Sequence, residues 1–159
     1  MTTPLEGDLG WMLGVVFRAY AKAAEHVLGD LPGGPRGYQV LGAAVGDPPR
    51  NQVAIGQELG IDRTILTYLI DDLEKHDLVV RRPDPADRRS RLVVATEPGR
   101  ASWTAHRDAL RRAEEHVLRA LPGEDVTAFR ALLQRIACDA QTRDPLKDLC
   151  EVVQQRPGS

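Results

Sequence analysis

The run NQVAIGQELGIDRTILTYLIDDLEKH, residues 51–76, holds two helical segments separated by a turn that contains a glycine. Asn51 is an N-cap residue type that opens an apolar-periodic segment through Leu59, and Gly60 closes it. Asp62 can then cap a longer helix through His76, with Ile61 and Leu66 at the N′ and N4 positions of a hydrophobic staple. Two helices joined by a three-residue turn are the signature of a helix-turn-helix. In the second helix Ile65, Leu66, Leu69, Ile70 and Leu73 form the inward stripe, which leaves Arg63, Thr64, Thr67, Tyr68 and Asp71 outside. Short hydroxyls, a guanidinium and an aromatic at that spacing suit insertion into a major groove. They suit an ordinary solvated face equally well, because Asp71, Asp72 and Glu74 dilute the basic charge.

The next stretch decides between the two. From Leu78 the period changes from helix to strand; Pro83 to Ser90 is rich in turn residues, and Arg91 to Ala95 returns as a second strand. This β-hairpin carries Arg81, Arg82, Arg88, Arg89 and Arg91 against Asp84 and Asp87, a net charge of +3 in eleven residues of a protein whose formal net charge is −2. Arginine's planar fork clamps phosphates and is attracted into narrow minor grooves. Asp87 reads as structural, holding the turn through a loop arginine.

Upstream, apolar residues from Leu9 to Val27 recur at three and four, predicting a helix over about 8–28, followed by a short helix over about 36–45. Downstream, Thr96 and Pro98 restart helix to roughly Leu121, with Trp103, His106, Leu110, Ala113 and Val117 on one side. A last helix over about 124–138 shows Phe129, Leu132, Leu133 and Ile136 at i, i+3, i+4 and i+7. The strings HVLGDLPG at 26–33 and HVLRALPG at 116–123 are alike, which we read as one solution used twice: a helix end followed by a helix start. The chain of 159 residues is one domain's worth, and at 42% hydrophobic but only 4% aromatic its core must be Leu, Val, Ile and Ala packed between helices. The fold class is therefore mostly α with a small β-hairpin wing.

The residues Ile55 to Thr64, Leu69 to Val79 and, above all, Arg81-Arg82-Pro83-Asp84-Pro85-Ala86-Asp87-Arg88-Arg89-Ser90-Arg91 followed by Thr96 to Arg100 resemble the MarR family of winged-helix transcriptional regulators. The resemblance covers about residues 8–138. It implies a winged helix-turn-helix lobe (about 36–96) and a helical dimerisation base (about 8–28 and 97–138) within one domain of residues 1–138. Residues 139–159 are a tail in which Leu146 to Val153 could form a short helix. It implies a homodimer on a pseudo-palindromic operator in double-stranded DNA, acting as a ligand-responsive repressor. The periodicity agrees, since the flanking helices are too long and apolar for a small lobe to cover; Val16, Tyr20, Phe129, Leu133 and Ile136 are the expected interface. The expected DNA contacts are Arg63, Thr64, Thr67, Tyr68, Arg88, Arg89 and Arg91. Tyr68 and Asp72 stand where many members carry a basic residue, which shifts weight to Arg63, Thr64, Thr67 and the wing.

The resemblance also implies a small phenolic or aromatic effector between base and lobe. Trp11, Arg18, His26 and Tyr38 are the candidates, and Trp11, Asp71 and Arg89 resemble the set of the urate-responsive branch; packing of Trp11 in the dimer base is the plainer alternative. Cys138 reads as a buried small apolar residue and Cys150 as an incidental thiol, too few and too late for a disulfide framework. No metalloprotease motif, nucleophile elbow or phosphate-binding glycine loop is present, and His26, His76, His106 and His116 lack metal-ligand spacing. The expectation is no enzyme, no metal and no cofactor. A protein-binding winged helix, the main rival, would not need five wing arginines. The acidic N-terminal residues and the lack of a long apolar run point to a cytoplasmic protein without a membrane span.

Overall fold

The computed structural model of the chain describes residues 4–142. Its elements run α1 (Leu9–Leu28), α2 (Gly34–Val45), β1 (Arg50–Asn51), α3 (Gln52–Leu59), α4 (Arg63–Lys75), β2 (Val79–Pro83), β3 (Arg91–Ala95), α5 (Glu97–Val117) and α6 (Gly123–Thr142). The described residues form two compact units, divided between Val117 and Leu118. None of the described helices is long and apolar enough to cross a membrane.

Side-chain caps set the helix starts. Asp8 accepts the Trp11 N–H at 2.7 Å and begins α1. Asn51 accepts the Ala54 N–H at 2.9 Å and begins α3, and Asp62 accepts from Thr64 at 2.8 Å and from Ile65 to begin α4. Between them Gly60 takes φ 61°, a left-handed value that a glycine adopts without strain, and its N–H returns to the Gly56 carbonyl. The corner expected from sequence therefore forms as a capped turn. The two Leu-Pro-Gly strings also act alike: α1 ends at Leu28 and α2 starts at Gly34, while α5 ends at Val117, four residues short of the expected Leu121, and α6 starts at Gly123.

The lobe core is aliphatic and continuous, built from Val40, Leu41 and Ala44 of α2, Ile55 of α3, Leu66, Ile70 and Leu73 of α4, and Val79 and Val93 of the sheet. Ile61 and Leu69 pack on its edge. Ile65, expected in the inward stripe, is exposed. On a helix five apolar positions span a wider arc than this small lobe can cover, and Ile65 falls at the rim.

The hairpin is part of a three-stranded antiparallel sheet, order β1-β3-β2. Arg50 pairs with Val93 and Asn51 with Leu92, so the residue that caps α3 also joins the sheet. This strand is not legible in the sequence, because two residues carry no readable period. Burial alternates along β3, with Val93 and Ala95 inward and Arg91 outward.

Helix α5 begins against the start of β2. A Cβ on Gly99 would lie 1.9 Å from the Leu78 carbonyl oxygen, a backbone atom that cannot move aside. The Thr96 N–H donates to the same carbonyl at 3.1 Å. Gly99→Ala is expected to destabilise the protein by about 1–3 kcal/mol through overpacking, read as a lower thermal midpoint in circular dichroism; an unchanged midpoint would mean that α5 is free to shift.

A satellite cluster of Ala24, Leu28 and Leu110 joins α1 to α5, with Tyr20, Val27 and Tyr38 packed on it. Tyr20, expected at an interface between copies of the chain, is half-buried against this cluster. The rest of α1 is bare: Leu9 and Phe17 are each 66% exposed, with Leu13 and Val16 exposed beside them. Helix α6 has no buried residue; Leu132, Leu133 and Ile136 are exposed and Phe129 is half-buried. Cys138, expected to be buried, is exposed on this helix for the same reason, and Cys150 lies outside the described residues, as does the short tail helix expected at 146–153.

Candidate nucleic-acid interface

Helices α3 and α4 and the wing line a concave groove of about 580 Å³, whose lining includes Gln52, Arg63, Thr67, Arg81, Arg89 and Arg91. Arg63, Thr64 and Tyr68 stand on the open side of α4, Tyr68 being 71% exposed. Thr67 is different. It is half-buried, its hydroxyl donates to the Arg63 carbonyl at 2.8 Å, and it accepts from Gln52 Nε2 at 2.6 Å. The hydroxyl is engaged within the lobe, so Thr67 ties α4 to the first residue of α3 and offers DNA mainly its methyl group. Gln52 was not a sequence candidate; an α3 residue beside the groove becomes visible only once α3 and α4 are packed.

The wing loop is organised by its own main chain. Asp84 Oδ1 accepts the Ala86 N–H and Asp87 Oδ1 the Arg89 N–H, each at 2.9 Å, and the Ser90 N–H donates to the Asp87 carbonyl at 2.9 Å. Asp87 is structural, as expected, but it holds backbone rather than a guanidinium. The side chains of Arg82, Arg88, Arg89 and Arg91 have no hydrogen-bond or ion-pair partner among the described residues, and all four residues are exposed. Four unpaired guanidiniums on one hairpin, two of them (Arg89 and Arg91) lining the groove with α4, make a surface suited to a polyanion.

The four effector candidates are not gathered. Trp11, Arg18 and His26 are exposed along α1, where fifteen residues of helical rise separate Trp11 from His26 by about 22 Å, beyond one small ligand. Tyr38 alone sits at a junction, packing against both the lobe core and the α1–α5 cluster. Its ring stacks on Trp103 of α5, centroids 6.1 Å apart and 14° between planes, and the Arg107 guanidinium lies 5.0 Å from the Trp103 centroid. Arg107 Nε is shielded from solvent without a hydrogen bond, although Asp108 Oδ1 stands 3.5 Å away. Burial pushes the Tyr38 and Tyr20 phenols above their ordinary range, helped by each one's acidic neighbours, so both remain hydrogen-bond donors at neutral pH. Trp103 and Arg107 were missed as ligand candidates because in sequence Trp103 is one apolar position among five on a helix face. Nearby, His106 Nε2 lies 3.1 Å from Asp30 Oδ1, and this contact holds the Asp30 carboxyl below the usual range. Among the described residues no group of three or more His, Cys, Asp or Glu is placed to hold a metal ion.

Capped helix-turn-helix, three-stranded sheet and arginine wing define a winged helix-turn-helix protein. Comparison with known proteins places it further. The MarR family model matches residues 35–90. A MarR-family transcriptional regulator from Rhodococcus sp. RHA1 superposes with a TM-score of 0.76 at 31% identity over 86% of this chain and 96% of its own. CouR from Rhodococcus jostii RHA1, solved bound to p-coumaroyl-CoA, gives a TM-score of 0.72 at 31% identity with the same coverage. The putative transcriptional regulatory protein for the hcr operon of Thauera aromatica is 26% identical over 136 residues, 83% of this chain and 80% of its own length. The chain belongs to the MarR family and is a DNA-binding transcriptional regulator, not an enzyme.

Proposed function

We propose that the protein is a cytoplasmic homodimeric repressor that binds a pseudo-palindromic operator and releases it when a planar aromatic anion binds. The observation that carries this is the groove: the unpaired wing arginines Arg89 and Arg91 line it together with Arg63 and Thr67 of α4, and Thr64 and Tyr68 are exposed on the same helix. Two-fold symmetry then asks for half-sites one helical turn apart, about 34–36 Å. Thr64, Tyr68 and the Thr67 methyl read base edges and thymine methyls, Arg63 takes a guanine or a phosphate, and Arg88, Arg89 and Arg91 hold phosphates or the minor groove.

For the effector, the Tyr38–Trp103–Arg107 stack replaces the α1 candidates as the favoured place. It offers aromatic rings, a guanidinium and a neutral phenol, the groups an aromatic carboxylate or its thioester would use. A residue packed against both clusters can couple ligand to lobe position, since a ligand acts only by preferring one arrangement over another. The neighbour CouR being bound to p-coumaroyl-CoA supports this class.

The test is binding to intergenic DNA flanking the gene, titrated with salt and then with aromatic acids and their coenzyme A thioesters. We expect steep salt dependence, release by one such compound, and tryptophan quenching that persists in Trp11→Phe but disappears in Trp103→Phe. Quenching lost only in Trp11→Phe would return the site to α1. DNA binding indifferent to salt would remove the whole reading.

A further inference from the structure

Arg81 differs from the other arginines of the wing. Its Nη1 bonds Glu74 Oε2 and its Nη2 bonds Asp71 Oδ1, while its main-chain N–H donates to Glu74 Oε1 at 3.0 Å. One residue of β2 thus engages two carboxylates of α4, and its side chain is only 23% exposed against 55% for Asp71 and 38% for Glu74. Asp71 lies one turn beyond Thr67, the last α4 residue that lines the groove, and Glu74 lies two turns beyond it. Left unpaired, the two carboxylates would face the path of the phosphates. Charges at such separations interact strongly where DNA and protein exclude water and are not screened within a Debye length of about 8–10 Å. In the protein alone the same pairs are part-exposed, so they add little to stability.

We propose that Arg81 is a positioning residue that acts through Asp71 and Glu74, masking both from the DNA backbone rather than contacting a phosphate itself. The inference rests on the assignment of the α4–wing groove to DNA. It sets Arg81, held by two carboxylates, apart from Arg82, Arg88, Arg89 and Arg91, whose side chains have no partner among the described residues. It also explains how a recognition helix carrying acids can serve there.

The experiment measures operator affinity against salt, with melting temperature alongside, for wild type, Arg81→Ala, the pair Asp71→Asn with Glu74→Gln, and the triple variant combining all three. Masking predicts that Arg81→Ala binds about tenfold or more weakly at 0.1 M salt with little change in melting temperature, because two unmasked carboxylates per subunit then repel phosphate. The triple variant should return to within about threefold of wild type, since nothing is left to mask. The pair variant should bind more tightly than wild type, its log–log salt slope steeper by up to about two as each subunit's Arg81 becomes available to DNA. If Arg81 contacts phosphate, or merely supports the fold, the triple variant stays as weak as Arg81→Ala, and the proposal fails. It also fails if Arg81→Ala matches wild type, or if the pair variant binds no tighter. Absence of salt-dependent binding by wild type would instead overturn the assignment of the groove, and this inference with it.

Discussion

The double variant Arg88→Ala, Arg89→Ala should lose operator affinity by roughly a thousandfold at 0.1 M salt, with a log–log salt slope shallower by about four. Each phosphate contact releases about one counterion, and a dimer loses two contacts per subunit. The fold should survive. Both residues are exposed and neither side chain has a partner among the described residues, while the loop is held by the Asp84 and Asp87 carboxylates on main-chain N–H groups, the Arg89 N–H included. Alanine keeps that N–H, so the melting temperature should move by less than about 4 °C, as for other exposed substitutions. The loss should be similar for operator and unrelated DNA, since phosphate contacts carry no sequence. A folded double variant with unchanged affinity and slope would mean that the hairpin does not touch DNA.

Phe17→Glu or Ile136→Glu should convert a dimer into monomers at low micromolar concentration and abolish tight operator binding. Phe17 is 66% and Ile136 65% exposed in the isolated chain, both on apolar stripes with no cover within their own unit. Burying a large apolar side chain is worth about 1.5–3 kcal/mol, and a two-fold interface counts every change twice. A glutamate there also costs the desolvation of a charge, so dimer affinity should fall by at least about a thousandfold. Sedimentation velocity gives the mass, and circular dichroism checks that each subunit stays helical. A monomeric wild type that binds its operator tightly would remove the homodimer.

How much of this was legible in advance follows from the range of the forces involved. The turn at Gly60, the caps Asn51 and Asp62 and the strand Arg91–Ala95 depend on residues within a few positions of one another, and they formed where the periodicity placed them. The wing was legible as a charge density, because arginines separated by Pro and Asp have no core to join. The strand β1 was not, since its two residues become a strand only by pairing with β3, about forty positions later. Nor was Ile65 at the rim, since helical period gives a direction but not how far a neighbouring core extends.

The functional residues divide in the same way. Local chemistry in the sequence determined the helix-turn-helix, the arginine hairpin and hence a winged-helix regulator that meets DNA. Tertiary structure decided which of those residues are free to act. Thr67 spends its hydroxyl on Gln52 and Arg63, and Arg81 spends its guanidinium on Asp71 and Glu74. Tyr38 finds Trp103 and Arg107 some sixty-five positions away, while Trp11, Arg18 and His26 are strung along one helix. The physical reason is that a side chain's type is written in the sequence, whereas its hydrogen-bond and charge partners are set by contacts between elements, which only packing brings within 3 Å.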